Sequence, residues 1–134
     1  MQSGRLDDLK PRYDDWGPAY VIQGPSSDIG LLTLRPGDEM TNHIHHFCDE
    51  SFIILEGNAT LWVDCQRSFA LEPGDVHRCQ PDEMHYFVND SPGLFKMVFI
   101  KSPQSPGDTI NLPWTPGQPA PEVPARPEVP APPR

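Results

Sequence analysis

Histidine and glutamate side chains gather in one short stretch of the sequence, GDEMTNHIHHFCDESFIILEG, which runs from Gly37 to Gly57. His43 and His45 are two residues apart, and in an extended strand, where side chains alternate between faces, both imidazoles point to the same side. Glu50 stands at the head of the apolar run that follows. Two imidazole nitrogens and a carboxylate oxygen suit a divalent transition metal. The stretch is therefore a candidate metal site.

The segments around this stretch indicate a protein made of short strands. From Trp16 onward, β-prone runs follow one another, separated by turn sequences such as GPSSD, RPGD, EPGD and NDSPG. Many short strands with regular turns predict an antiparallel sandwich or barrel. No helix of ordinary length is predicted, and residues 4–10 are expected to form about one turn at most. The predicted strands cover residues 19–24, 29–34, 43–47, 51–57, 59–64, 68–71, 75–80, 84–89 and 94–100.

One sequence pattern occurs twice. Residues 34–38 and residues 71–75 both have the form LxPGD, and each copy precedes a strand that leads to histidines. Proline presets the first corner of a tight turn, and glycine supplies the positive φ that the second corner requires. Two interpretations stay open: a pair of unrelated type II turns, or a fold with two similar halves that deliver ligands to one centre.

The spacing Gly37-x5-His43-x-His45-x4-Glu50-x6-Gly57 resembles the first motif of the cupin superfamily and matches it at every defined position. The resemblance covers roughly residues 19–101. It implies an all-β fold, the antiparallel jelly-roll barrel that is also called a double-stranded β-helix.

A second stretch begins at Gly74 and ends in His85-x3-Asn89, which resembles the second cupin motif, G-x5-P-x-G-x2-H-x3-N. Gln80 stands where the family has proline, and Asp82 stands where it has glycine. Aspartate is among the residues that tolerate the left-handed backbone region. The departure therefore concerns the conformation of the turn and not the histidine that follows.

The resemblance implies that His43, His45, Glu50 and His85 together hold one divalent transition metal. Three imidazoles and a carboxylate suit Mn, Fe, Zn, Ni or Co. A six-coordinate ion would keep two positions for water or substrate.

His77 is the candidate catalytic residue. Side-chain alternation along residues 75–80 places His77 and Cys79 on one face, which we expect to line the barrel interior. An imidazole with a pKa near neutrality suits a general base. A substrate contact, a supplementary metal ligand and a hydrogen-bonded core histidine are the alternatives. His46 points away from His45 and is expected to be solvated or to lie at an interface.

The same alternation predicts an apolar, aromatic pocket above the metal. Such a lining suits a small organic substrate. The residues predicted to bind that substrate are Phe52, Ile54, Phe87, Asn89 and Met97.

Charge and composition argue against several functions. The formal net charge is −9 at pH 7, and a nucleic-acid partner would need clustered Lys and Arg. No apolar run approaches the length of a bilayer span, and the N-terminal stretch lacks the apolar core of a secretory signal. The cysteines have no CxxC spacing, which fits reduced thiols. We therefore expect a cytoplasmic protein with no nucleic-acid or membrane partner and with three free thiols, on Cys48, Cys65 and Cys79.

The 134 residues accommodate one compact domain. We expect an N-terminal arm at residues 1–15, the barrel with a C-terminal extension at residues 16–114, and a disordered or polyproline II tail at residues 115–134. A homodimer is expected, because a second copy would cover exposed sheet edges. Apolar residues of the extension are expected to fold back on the body or to cover another subunit: Ile110, Leu112 and Trp114.

Three functional hypotheses follow. The first is a metal-dependent isomerase, epimerase or cyclase, in which the metal acts as a Lewis acid on a small carbonyl or enolisable compound. The second is an Fe(II)-dependent dioxygenase on a small organic substrate. The third is a non-catalytic module that binds a metal or a small molecule.

Overall fold

The computed structural model describes residues 1–128 of the chain. Within this range it has one 3-10 turn, at Leu6–Asp8, and no helix long and apolar enough to cross a membrane. The last six residues of the predicted proline-rich tail, 129–134, lie outside the described range. The strands are β1 Gly17–Gln23, β2 Asp28–Leu34, β3 Glu39–His45, β4 Asp49–Glu56, β5 Ala59–Val63, β6 Arg67–Leu71, β7 Val76–Cys79, β8 His85–Val88, β9 Phe95–Ser102 and β10 Thr109–Asn111.

These strands form two antiparallel five-stranded sheets that face each other. The strand orders are β1-β2-β9-β4-β7 and β10-β3-β8-β5-β6. Alternation fills the space between the sheets: on β9, Phe95, Met97 and Phe99 are buried, and the residues between them are partly exposed. The predicted all-β jelly-roll architecture is confirmed.

Each predicted run overlaps one of the strands β1 to β9, and the predicted turn near the N-terminus is present. Strand β10 was missed, because three residues near several prolines carry too weak a pattern. It pairs with β3, so that Thr109 lies opposite His45 and Asn111 lies opposite His43. Trp114 is buried after it and packs edge-on against Tyr86. The extension therefore folds back on the body, beside the histidines of the first motif.

The two LxPGD turns have the same structure. The Asp38 carboxylate accepts the backbone N–H of Arg35 at 2.8 Å, and the Asp75 carboxylate accepts that of Glu72 at 2.9 Å. The two glycines have φ values of 84° and 96°. Each glycine N–H donates to a backbone carbonyl of a facing segment, at 2.7 and 2.9 Å. This match supports a fold of two similar halves over two unrelated turns.

Gly57, which ends the first motif, is required by its surroundings. Its φ is 74°, and a Cβ at this position would collide with the backbone carbonyl oxygen of Leu94. Gly37, at the start of the motif, also has positive φ, at 84°, but has open space around the corresponding position. A side chain is therefore disfavoured at Gly57 by both conformation and contact, and at Gly37 by conformation alone.

We expect Gly57→Ala to lower the free energy of unfolding by about 3 kcal/mol or more, because the left-handed penalty and a backbone collision add. Gly37→Ala is the matched control and should cost about 1–2 kcal/mol. Urea unfolding of both variants measures the difference. Equal losses would contradict the role assigned to the Leu94 contact.

Candidate metal centre

The four predicted ligands meet at one point, although they come from three strands and both sheets. β3 carries His43 and His45, and its antiparallel pairing with β8 places His85 directly opposite His43. Glu50 projects from β4 in the facing sheet. The ligand atoms of the four side chains all lie within 4.8 Å of one another. The two sheets thus bring the first and second motifs to a single centre.

The imidazoles point their Nε2 atoms at Glu50. The distances from Glu50 Oε1 to Nε2 are 2.9 Å for His45, 3.1 Å for His85 and 3.9 Å for His43. The carboxylate therefore lies at the centre of the cluster.

The other nitrogen of each ring, Nδ1, lies near a backbone carbonyl oxygen. The carbonyls belong to Thr41 for His43 (2.6 Å), Asp108 for His45 (3.3 Å) and Glu83 for His85 (3.1 Å). Because a carbonyl only accepts, each Nδ1 carries the proton, and each Nε2 presents its lone pair to the centre. Three lone pairs and a carboxylate that face one another repel unless a cation lies among them. The donor set therefore fits a divalent metal.

The electrostatics of the cluster favour the forms that bind a metal. Burial by itself would raise the pKa of Glu50, but the imidazoles of His43, His45 and His85 around the carboxylate hold that pKa well below its usual range. Burial, together with the nearby His43, lowers the pKa of His85 to about 4. An ionised carboxylate and a neutral imidazole are the protonation states that metal binding requires.

A cavity of about 310 Å³ opens onto one side of the cluster, where His43 and Glu50 line it. Three of the predicted substrate-binding residues, Phe52, Phe87 and Met97, line the same cavity. A ligand in the cavity therefore meets aromatic and apolar walls and a polar floor formed by His43 and Glu50 of the cluster. Further lining residues include Arg12, Tyr13, Trp16, Tyr20, Leu32, Phe99, Lys101, Thr109 and Asn111.

The other two predicted substrate-binding residues, Ile54 and Asn89, are not among the residues that line this cavity. Ile54 lies further along β4 and is buried in the hydrophobic core. Asn89 is fully buried, and its amide donates to the backbone carbonyls of Leu34 and Gly93 at 3.0 and 2.8 Å. The side chain of Asn89 therefore holds two turns together.

His77 lines a second, smaller cavity of about 170 Å³ with Phe69, Cys79 and other residues. Its ring centroid lies 5.3 Å from that of Phe69. On the edge strand β7, Cys79 and not His77 is the cross-strand neighbour of Glu50. His77 is thus outside the four-residue cluster and its cavity, and its catalytic role stays a prediction without a contact that supports it.

The turn of the second motif keeps a left-handed residue at position 82, although aspartate stands there where the cupin pattern has glycine. Asp82 has a φ of 68°, so aspartate takes the left-handed position in place of glycine. Its N–H donates to the His45 carbonyl at 2.8 Å, and its carboxylate lies 2.7 Å from His46 Nδ1. His46 was expected to be solvated or to lie at an interface. The residue is instead 3% exposed within its own chain, because it packs against this turn. Asp82 thus ties the second motif to the first.

Asp108 is a positioning residue that sequence reasoning missed. Its carboxylate accepts the backbone N–H groups of His46, Phe47 and Cys48 at 2.8, 2.9 and 3.2 Å. Its own carbonyl faces Nδ1 of His45. The available signal was a third PGD sequence at residues 106–108. This aspartate holds the turn between β3 and β4, and with it the spacing between the histidines and Glu50.

The cysteines are free, as predicted. Burial, with a smaller effect of the Asp108 carboxylate, raises the pKa of Cys48 to about 12. Burial and Glu83 raise the pKa of Cys79 to about 12. Both thiols are therefore neutral near pH 7, which disfavours a catalytic thiolate.

Comparison with known proteins agrees with this geometry. The cupin domain family matches residues 30–101 of the chain. The chain belongs to the cupin family. Over 73 residues this cupin is 34% identical to a quercetin 2,3-dioxygenase from Bacillus subtilis strain 168, a match that covers 47% of this chain and 21% of that protein.

A second relative is the polyketide synthase CurC from Streptomyces cyaneus, with 27% identity over 90 residues, 67% of this chain and 58% of that protein. The cupin thus spans less than two thirds of either relative. Among solved structures, the polyketide cyclase RemF from Streptomyces resistomycificus superposes with a TM-score of 0.70 at 17% identity, covering 86% of this chain and 87% of that one. That likeness shows a shared fold.

We expect the purified protein to bind about one Zn²⁺ per chain, and His45→Ala or His85→Ala to weaken this binding by roughly a hundredfold or more, since each removes a ligand. His77→Ala, which removes a histidine outside the cluster, should bind Zn²⁺ as the wild type does. Isothermal titration calorimetry and elemental analysis measure affinity and stoichiometry. A loss in His77→Ala equal to that in His45→Ala would contradict the assignment.

Asp108→Ala should lower the free energy of unfolding by about 2–4 kcal/mol, because three backbone N–H groups lose their acceptor. It should also weaken Zn²⁺ binding by about 10–100-fold, because the turn that spaces the ligands is released. Asp75→Ala is the control: its carboxylate accepts the N–H of Glu72 within its own turn. That variant should lose about 1 kcal/mol and no Zn²⁺ affinity. Unaltered Zn²⁺ binding by Asp108→Ala would remove its positioning role.

Proposed function

We propose that this cupin is a metal-dependent enzyme that acts on a small carbonyl or enolisable compound, in an isomerase, epimerase or cyclase type of reaction. The observation that carries the proposal is the cluster of His43, His45, Glu50 and His85 at the floor of a cavity with aromatic and apolar walls. A divalent metal held by these four side chains would supply Lewis-acid catalysis at a substrate oxygen.

The residues of the chain prepare the site for such a substrate. The Nδ1 contacts to backbone carbonyls fix the orientation of the three rings, so that the ligand set is organised before substrate arrives. Phe52 and Phe87 pack edge to face with ring centroids 4.8 Å apart, which gives the cavity a firm apolar wall. Such walls hold an unsaturated carbon skeleton and exclude water from its carbonyl.

The relatives favour a cyclase within this class. The CurC and RemF names refer to polyketides, which are chains rich in carbonyl groups. RemF and this cupin also have similar lengths, as each covers more than four fifths of the other. A carbonyl-rich substrate is the kind on which Lewis-acid chemistry acts.

An Fe(II)-dependent dioxygenase is the second candidate, and the likeness to quercetin 2,3-dioxygenase favours it. The same four ligands would hold ferrous iron, and the same aromatic walls would contact a flavonoid-like ring. The two candidates differ in whether turnover consumes dioxygen.

A test uses 2-tetralone, an aromatic ketone with exchangeable hydrogens beside its carbonyl. We expect the Zn²⁺-, Mn²⁺- or Ni²⁺-loaded protein to accelerate the exchange of these hydrogens for deuterium. The rate, followed by NMR, should be the same with and without dioxygen. Removal of the metal or His45→Ala should reduce the rate roughly a hundredfold or more. Oxygen uptake with quercetin by the Fe²⁺-loaded protein, without exchange in the other forms, would support the dioxygenase instead. If no metal-loaded form shows either activity, both enzyme candidates fail, and the non-catalytic binding module is the hypothesis that is left.

A further inference from the structure

We propose that the cavity binds an organic acid and that Lys101 recognises its carboxylate. The inference rests on the proposed function for the use of the cavity, and it adds the charge of the substrate and the residue that selects it. Lys101 lies outside both sequence motifs that supply the four residues of the cluster.

Lys101 lies beside the metal-binding cluster. On β9 it is the direct cross-strand partner of Glu50 on β4, and its side chain lines the same cavity. Its Nζ donates to the hydroxyl of Tyr20 at 2.9 Å. The Nζ also lies 5.4 Å and 5.7 Å from the ring centroids of Tyr20 and Phe99, within reach of cation–π attraction. The ammonium is therefore held in the cavity wall and does not swing freely in solvent.

The ammonium has unused capacity for an anion. It has three donors, of which Tyr20 takes one, and it forms no ion pair within 4.0 Å among residues 1–128. The carboxylate of Glu50, its cross-strand partner, points toward the histidines, with its Oε1 2.9 Å from His45 Nε2 and 3.1 Å from His85 Nε2. A partly buried cation without a paired anion is unfavourable by itself. A ligand carboxylate would supply the missing charge and accept the free N–H groups.

The charge distribution around the cavity points the same way. The chain has a net charge of −9, yet its cavity is lined by two cations, Lys101 beside the cluster and the exposed Arg12. The lining carboxylate outside the cluster, that of Glu39, accepts the hydroxyl of Tyr86. The two lining cations balance the two lining carboxylates, Glu39 and Glu50, in a chain that is acidic as a whole. A divalent metal held by the cluster would make the cavity positive, and such a cavity attracts and orients an anionic ligand.

The test compares 2-naphthoate with its neutral counterpart 2-naphthamide, titrated by calorimetry into both Zn²⁺-loaded and metal-free protein. Wild type should prefer the acid. Lys101→Met keeps the apolar stem and removes the charge, so it should weaken 2-naphthoate binding roughly tenfold or more and change 2-naphthamide binding by less than about twofold. Lys101→Arg should keep the preference. Lys96→Met, the same change on the opposite face of β9, should bind both probes as wild type does.

The outcomes separate this inference from the proposed function. Equal binding of the two probes by wild type, or an unchanged preference in Lys101→Met, would overturn the role of Lys101 while the metal assignment stood. Failure to bind Zn²⁺ would overturn the metal assignment, and the metal-free titrations would still decide the role of Lys101. If Lys101→Met does not fold, Lys101→Gln takes its place, because it also removes the charge. An unchanged preference for 2-naphthoate in that variant would overturn the role of Lys101.

Discussion

The arrangement on which the site depends is the meeting of three Nε2 lone pairs and one carboxylate in a buried space. Each group is an acceptor, and like groups at such distances repel unless a cation joins them. The fold holds them together from outside, by a backbone carbonyl at every Nδ1. Those carbonyls fix which nitrogen faces inward, so the backbone itself decides the tautomer and the direction of each ligand.

The segments that supply these carbonyls are held by aspartates. Asp108 gathers three backbone N–H groups of the turn after β3, and Asp82 donates its N–H to the His45 carbonyl. Both residues follow positions where the chain must turn tightly. Asp82 reaches from the second motif to the strand of the first, and Asp108 reaches to the end of the same strand from the C-terminal extension. The same residue type therefore serves turn formation and ligand positioning at once. A mutation in a distant turn can thereby change the metal site without touching a ligand.

The cavity gives the cluster one accessible side. His43 and Glu50 line it, while His45 and His85 are almost fully buried behind them. Its walls combine aromatic rings with the ammonium of Lys101, which the pairing of β4 with β9 places next to Glu50. The metal-binding floor and the cationic wall are thus adjacent because two neighbouring strands are in register, and a substrate with a carbonyl and a carboxylate would meet both.

Local sequence determined the strands, the turns and the shared face of His43 and His45, and the resemblance to the cupin motifs implied the complete ligand set. Alternation and turn residues are properties of a few neighbouring positions, so β1 to β9, the paired LxPGD turns and the His43-x-His45 face could be predicted without a structure. Asp82 in the left-handed region is a local matter too. Strand β10 was not predicted, because its three residues are too few to show an alternating pattern.

Only the tertiary structure decided which side chains are neighbours across the sheets and which cavity each side chain lines. Alternation placed His77 on an inward face, but which cavity that face lines depends on the register of β7 against β4, where Cys79 takes the place beside Glu50. Tertiary packing also placed Ile54 in the hydrophobic core and made the Asn89 side chain bridge two turns. It brought Lys101 into the cavity beside Glu50, although the two residues are 51 positions apart in the sequence. Parity along a strand gives a side chain its face, whereas its neighbours across the sheet are set by long-range pairing that no local pattern encodes.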